Sequence, residues 1–207
     1  MTTRVGVVAD THCPEFLDKL PARLFEVLEG VDLVLHAGDI NSEETLAALG
    51  RLAPVEAVRG DHDGSLENLP ASREVTVEGK RIVLVHGQRS RWLEEPNTLL
   101  WTLSLGYFRP HRGLPRALRR RFPSADAIVY GHTHRARAET IGGALLFNPG
   151  GVHQWSPATA SRRLTRNPGW FEWCWLQAAR HLRRYEKPSV GILEVGSSGI
   201  LPRVIEL

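Results

Sequence analysis

Short apolar runs that stop at a polar residue recur along this chain. "RVGVVAD" (4–10) is β-branched and apolar until it meets a carboxylate, the pattern of a buried strand. Phe16, Leu20, Leu24, Val27 and Leu28 follow at helical spacings and predict an amphipathic helix. A second strand, "VDLVLHAGD" (31–39), a short helix opening at Ser42, and a third strand, "PVEAV" (54–58), come next. Strand, helix, strand, helix, strand is the order of a parallel α/β layer. Right-handed crossovers bring the carboxyl ends of its strands to one edge.

The pattern then changes to paired alternating runs. "REVTVEG" and "KRIVLVHG" form a predicted hairpin turning at Glu78-Gly79. "DAIVYGHTH" (126–134) is a further apolar strand with a polar end, and "RAETI" and "ALLFN" pair across Gly142-Gly143. "SVGILEV" and "ILPRVIEL" close the chain as a third hairpin. The expected fold class is α/β: two packed mixed sheets flanked by helices, a four-layer α/β/β/α sandwich.

Two segments break the rhythm and are expected as aromatic and basic insertions, at about 89–122 and 155–187, in one domain spanning 1–207. The first holds Trp92, Leu93, Leu99, Leu100, Trp101, Leu103, Leu105, Tyr107 and Phe108 before the run "RPHRGLPRALRRR". In the second, Asn167 as N-cap and Pro168 at the first helical position predict a helix. Phe171, Trp175, Ala178, Leu182 and Tyr185 would line its buried face, with Arg180, Arg183 and Arg184 complementing its dipole.

Composition adds little to this. The length, 207 residues, is enough for a substantial core, and no apolar run approaches the ~20 residues of a membrane span. Cys13 and Cys174 give no disulfide framework, and the start "MTTRVGVVAD" lacks a secretory pattern, so a cytoplasmic location is expected. The net charge of +3 favours anionic partners. No nucleic-acid-reading motif accompanies the basic runs.

The polar strand ends carry the candidate chemistry. Asp10 and His12 lie two apart after the first strand, pointing the same way from an extended end. Asp39 ends the second strand, Asp61 and His62 sit in the glycine-flanked turn "RGDHDG" after the third, and His86 ends the first hairpin. His132 and His134 are again two apart. Any one of these is an ordinary turn or surface residue. Together, His62 apart, they place seven His and Asp ligands where open α/β sheets bind ligands. Such donors without thiolates suit Mn(II), Fe or Zn, and seven are too many for one tetrahedral ion.

In order, Asp-x-His, Gly-Asp, Gly-Asp-His-Asp, His-Gly and Gly-His-x-His resemble the calcineurin-like metallophosphoesterases. The compact length and "GHTH…NPGG" (131–151) resemble their small prokaryotic phosphodiesterase branch. The resemblance covers 4–88, 126–151 and 189–207. It implies a metallophosphoesterase sandwich holding two divalent ions, manganese first and iron, zinc or nickel after it. Asp10, His12, Asp39 and His134 would hold one ion, and Asp39, Asp61, His86 and His132 the other, with Asp39 bridging. It further implies a dinuclear phosphoesterase, a phosphodiesterase before a phosphatase, that hydrolyses a phosphate ester by a metal-bridging hydroxide. His62 would touch the phosphoryl group or protonate the leaving oxygen, with Asp63 orienting its ring. The alternative is a protein-binding module with weak or no catalysis, because the same fold includes an endosomal coat subunit that works by protein contact.

Two positions depart from the family. Asp61 stands where the family has Asn, so a centre of two divalent ions carries one positive charge less for attracting phosphate. Gln88 stands where the branch often has His. Elsewhere the blander role is expected: His36 and Cys13 packed in the core, Asn148 and Gly150 building a turn, His153 on the surface before a place facing substrate, Arg59 on an anion or on Asp63. Trp92, Trp101, Trp170, Trp173 and Trp175 suit either a grip on a substrate's apolar or nucleotide part or a homo-oligomer interface. A membrane-surface role for 170–186 ranks below both, since its apolar face is needed for packing.

Overall fold

The computed structural model describes residues 2–88, 99–101, 103–105, 107–108 and 113–207, Phe171 without its side chain. Trp92, Leu93 and the start of the 109–121 basic run lie outside the described residues. The chain divides into two compact units, one of residues 1–87, 113–153 and 187–207, the other of 88–112 and 154–186.

The first unit is a sandwich of two five-stranded sheets. Its elements in chain order are β1 (Thr2–Val8), α1 (Ala22–Leu28), β2 (Leu33–His36), α2 (Glu43–Leu49), β3 (Val55–Ala57), β4 (Ser72–Val77), β5 (Lys80–Val85), α3 (Leu114–Arg121), β6 (Ala127–Tyr130), β7 (Arg137–Ile141), β8 (Ala144–Asn148), β9 (Ser189–Gly196) and β10 (Gly199–Glu206). One sheet runs β10-β9-β1-β2-β3, with β1, β2 and β3 parallel. The other runs β4-β5-β6-β8-β7, with β5, β6 and β8 parallel and an antiparallel strand at each edge.

Period-two burial builds the layers. Val5, Val7, Ala9, Leu35 and Ala37 face inward onto Ile82, Leu84, Val129 and Phe147 of the opposite sheet. The alternate residues Val8, Val34 and Ile192 face outward, beneath Leu24, Val27 and Leu28 of α1. On the far side Val83, Val85, Ile128 and Tyr130 meet Leu114 and Leu118 of α3. Each such valine, leucine, isoleucine or phenylalanine removed from water is worth about 1.5–3 kcal/mol, so both faces of the central strands contribute and the four layers follow.

Register positions the site. Val8 is level with His36, His36 with Ala57, and Val85 with Tyr130. The loops that follow β1, β2 and β3 therefore leave one edge together, and those after β5 and β6 do the same.

Three expectations are corrected. The first helix begins at Ala22 rather than near Phe16. Phe16 and Leu17 instead turn back onto the His12 carbonyl, and Pro21, which has no N–H to give, sits at the N-cap. α3, inside the stretch expected as the first insertion, packs on the second sheet. Its terminal arginines complement the helix dipole, and Arg119 donates to the carbonyls of Pro123 and Gly142. The helix expected from Pro168 is the shorter α5 (Trp170–Ala179), because Asn167 takes a left-handed φ of 48° and the N-cap passes to Gly169. Leu182 and Tyr185 therefore lie beyond its end.

In the second unit α5 pairs with a helix the pattern did not show, α4 (Pro157–Leu164). A reciprocal capping box between Ser156 and Thr159 opens it. Trp155 meets Trp175 edge-on at 4.6 Å, and with Trp101 they pack on Ala160, Leu176 and Leu182. Trp170 is 81% exposed and Trp173 47%. No helix among the described residues is long and apolar enough to cross a membrane.

Phe147 is fully buried between the sheets. Truncation by Phe147→Ala is expected to cost about 3–5 kcal/mol in urea unfolding followed by circular dichroism.

Candidate metal centre

The predicted ligands lie in loops just past the strand ends, not on the strands. β1 stops at Val8 and β6 at Tyr130, so Asp10, His12, His132 and His134 follow them. Five of the seven have left-handed backbone: Asp10 (φ 52°), His12 (44°), Asp39 (56°), His132 (65°) and His134 (53°). The expectation of an extended end is thereby corrected; the side chains converge because these loops coil. Asp and His tolerate that region better than most residues, yet it still costs on the order of 1 kcal/mol each. Strain of this kind persists where surrounding structure imposes it.

At Asp39 the structure that imposes it is Asp63. Its buried carboxylate accepts four backbone N–H groups: Asp39 (2.9 Å) and Gly60 (2.8 Å) on Oδ2, Ile40 (2.7 Å) and Asn41 (2.8 Å) on Oδ1. These bonds staple the loop after β2 to the turn after β3. Gly60 is required at that junction, since a Cβ there would stand 2.2 Å from Asp39 Oδ1. The expectation that Asp63 orients the His62 ring is therefore corrected. His62 Nδ1 instead pairs with Glu15 Oε2 at 3.0 Å, while its backbone N–H donates to Asp39 Oδ1.

All seven predicted ligands come together. Asp10, His12 and His134 form one group, and Asp61, His86 and His132 another, each with ligand atoms within 4.8 Å of one another. Asp39 Oδ2 stands between them, 3.5 Å from His12 Nε2 and 3.3 Å from His86 Nε2. Asp61 Oδ2 lies 3.3 Å from His132 Nδ1, so the residue that departs from the family stays within the second group.

The residues fit cations. Asp10 Oδ2 is buried without a hydrogen-bond partner, and buried His86 Nε2 has the Asp39 carboxylate at 3.3 Å without hydrogen-bond geometry; burying them so is costly unless a ligand satisfies them. His86 Nδ1 donates to the Ala37 carbonyl (2.7 Å) and His134 Nδ1 to that of His153 (2.9 Å). Such outer bonds turn the Nε2 atoms of both rings toward the carboxylates, as metal-bound histidines are held. Gly151 makes room for the second, because a Cβ there would sit 2.8 Å from His134 Nδ1.

Electrostatics without a cation is strained. Burial raises the Asp10 carboxyl to about 6, although His86 and His12 oppose it. Burial alone would lower His86, but the Asp39 and Asp10 charges override it and raise it to about 10. The same His86 charge, with His12, holds Asp39 well below the usual range against its own burial. Burial drops His134 and His36 to about 4.

Glu15 and His153 also line the site. Glu15 follows His12 by three residues in a single turn, and burial there would raise its pKa, but the nearby His12 ring and its bond to His62 hold it well below the usual range. A carboxylate one turn after a candidate ligand histidine is the available signal. His153, expected on the surface, is buried, its ring 5.1 Å from Phe16 and 5.7 Å from His12. His36 and Cys13 are core residues, the former bonded to Thr11. Asn148 builds the expected turn, donating to Gly131 and accepting from Gly150.

Residues 3–165 match the calcineurin-like phosphoesterase superfamily domain. A probable metallophosphoesterase of Methanothermobacter thermautotrophicus is 32% identical over 147 residues, 70% of this chain and 75% of its own. Among solved structures, vacuolar protein sorting 29 (Vps29) from Cryptosporidium parvum superposes with a TM-score of 0.66 at 22% identity, covering 100% of this chain and 92% of its own. A novel archaeal phosphodiesterase does so with a TM-score of 0.54 at 20% identity, over 98% and 100%. At these identities the two structures show a shared fold.

Two outcomes are expected. Asp63→Ala strips four buried N–H groups of their acceptor and should destabilise by about 3–5 kcal/mol in urea unfolding. Asp63→Asn should recover less than half, because its NH2 would face donors. Second, a raised His86 pKa stabilises the folded state fully below 6.5, the ordinary histidine value, and the benefit is lost as pH rises through about 10. His62, also raised, through its bond to Glu15, acts in the same direction. The Tm of chelator-treated protein should fall across that window, and saturating Mn2+ should flatten the fall, since a cation replaces the proton on His86.

Proposed function

The chain belongs to the calcineurin-like phosphoesterase superfamily, and we propose that it is a dinuclear metal-dependent phosphoesterase acting on phosphodiesters. The observation that carries this reading is the position of Asp39 Oδ2, shared between a histidine of each ligand group. Asp10, His12, Asp39 and His134 would hold one divalent ion, and Asp39, Asp61, His86 and His132 the other. The oxygen and imidazole donors favour manganese, with iron, zinc or nickel able to substitute. Such ions, when bound, lower the pKa of water and neutralise charge on phosphoryl oxygens.

The chain's own residues do the rest. His62 sits half-exposed at the rim, its backbone tied to the bridging carboxylate, where its ring can reach a phosphoryl oxygen or the leaving group. Proton donation to the leaving oxygen is its proposed task, a contribution of about 10²–10⁴ in rate. The fixed loops hold the ligands in place before substrate arrives, so little reorganisation accompanies reaction. Diesters are preferred in this proposal because a structural neighbour is described as a phosphodiesterase.

A second reading, a protein-binding module, is supported by the likeness to Vps29 and by Asp61, which makes the centre less attractive to phosphate.

Protein loaded with Mn2+ is expected to hydrolyse bis-p-nitrophenyl phosphate. His62→Ala should lower kcat by about 10²–10⁴ with two ions per chain still present by elemental analysis. Asp39→Ala should lose metal and activity together. Substoichiometric metal and no turnover with manganese, iron, zinc or nickel would replace the enzyme reading with the binding module.

A further inference from the structure

We infer that Glu15 is a positioning residue for the proposed hydrolysis: its Oε2 accepts the His62 Nδ1 proton and sets the ring so that Nε2 is the nitrogen offered to substrate. The inference rests on the phosphoesterase reading for its catalytic consequence, but the bond itself stands on geometry. Glu15 Oε2 lies 3.0 Å from His62 Nδ1 and 2.6 Å from Asn41 Nδ2. The same oxygen faces His12 Nδ1 at 3.8 Å, a buried atom without a hydrogen-bond partner. A carboxylate only accepts, so the nitrogen facing it carries the proton. For His62 that leaves Nε2 to act on substrate. For His12 no such assignment follows, since its Nδ1 is 3.8 Å from Glu15 and its Nε2 faces Asp39 Oδ2 at 3.5 Å.

Glu15 is itself held. The turn after His12, closed by the Phe16 N–H on the His12 carbonyl, brings it round to His62. Asn41, which clamps it, is fixed in turn by its backbone N–H on Asp63. His62 has the opposite character. Its backbone is anchored, its side chain is 42% exposed, and beyond edge contacts with His12 and Phe16 the Glu15 bond is what orients the ring. Without that bond the imidazole can rotate and change tautomer. One carboxylate oxygen thus lies against both a proposed ligand and the proposed proton donor.

A competing arrangement is available, because His12, Glu15 and His62 could themselves hold a cation. Two donors already at hydrogen-bond distance on Oε2 favour the positioning role, and the variants separate the two. With Mn2+ and bis-p-nitrophenyl phosphate, Glu15→Ala should lower kcat by about 10–100-fold with little change in KM, the range for losing an outer-shell partner. Glu15→Gln, whose amide oxygen still accepts, should recover most of that loss. Glu15→Ala/His62→Ala should be no slower than His62→Ala, as expected for residues acting as a unit. Nitrogen-15 NMR of the imidazoles in metal-free, alkaline protein should show His62 as the Nδ1–H tautomer, shifting toward Nε2–H in Glu15→Ala. An unchanged tautomer in Glu15→Ala overturns the inference whether or not the protein turns over substrate. So does a Glu15→Gln variant that loses an ion and is as slow as Glu15→Ala. If wild-type protein hydrolyses nothing while the tautomer shift is present, the phosphoesterase reading fails and the Glu15–His62 bond survives.

Discussion

The four N–H bonds to the Asp63 carboxylate are the constraint on which the site depends. The loop after β2 carries Asp39, and the turn after β3 carries Asp61 and His62; neither has regular structure of its own. A single buried acceptor draws their amides to one point and fixes the distance between them. Charge-assisted bonds of this type are among the stronger ones available to a protein. Asp39 can then turn one oxygen to the His62 amide and the other toward His12 and His86. The geometry that matters for chemistry is set by a residue one shell behind it.

Such a centre is expensive in isolation. It combines left-handed backbone at five positions, two buried carboxylates and several imidazoles held below their ordinary pKa by desolvation. The opposing contribution comes from the sandwich, whose central strands bury both faces, so the cost is carried by apolar area remote from the site. That separation explains why the candidate ligands sit in loops. Strands supply rigidity and a common edge, and loops supply the backbone angles that strands cannot.

Much of this is legible in the sequence because it is written in side chains. Val5, Val7 and Ala9 alternate with Val8 because period-two burial on both faces leaves a readable trace. Asp10, His12, Asp39, His86, His132 and His134 announce themselves by following apolar runs. What is not legible depends on backbone. Asp63 looks like a partner for its neighbour His62, because nothing in a sequence marks the amides of Asp39, Ile40, Asn41 and Gly60 as its true donors. Glu15 and His153 acquire their roles only when distant loops meet. The start of α1 and the length of α5 are set locally: Pro21 and the left-handed Asn167 fix boundaries that hydrophobic spacing alone does not mark.

The partition of the aromatic residues has a practical corollary. The residues of the sandwich include no tryptophan, and the six in the chain all fall within 88–112 and 154–186. Intrinsic fluorescence excited at the red edge is therefore a private signal of the helical unit. A titration that quenches it senses α4, α5 and their surroundings, whereas the sandwich and its candidate metal site stay dark to that method. A tryptophan introduced into the sandwich would give it a voice of its own.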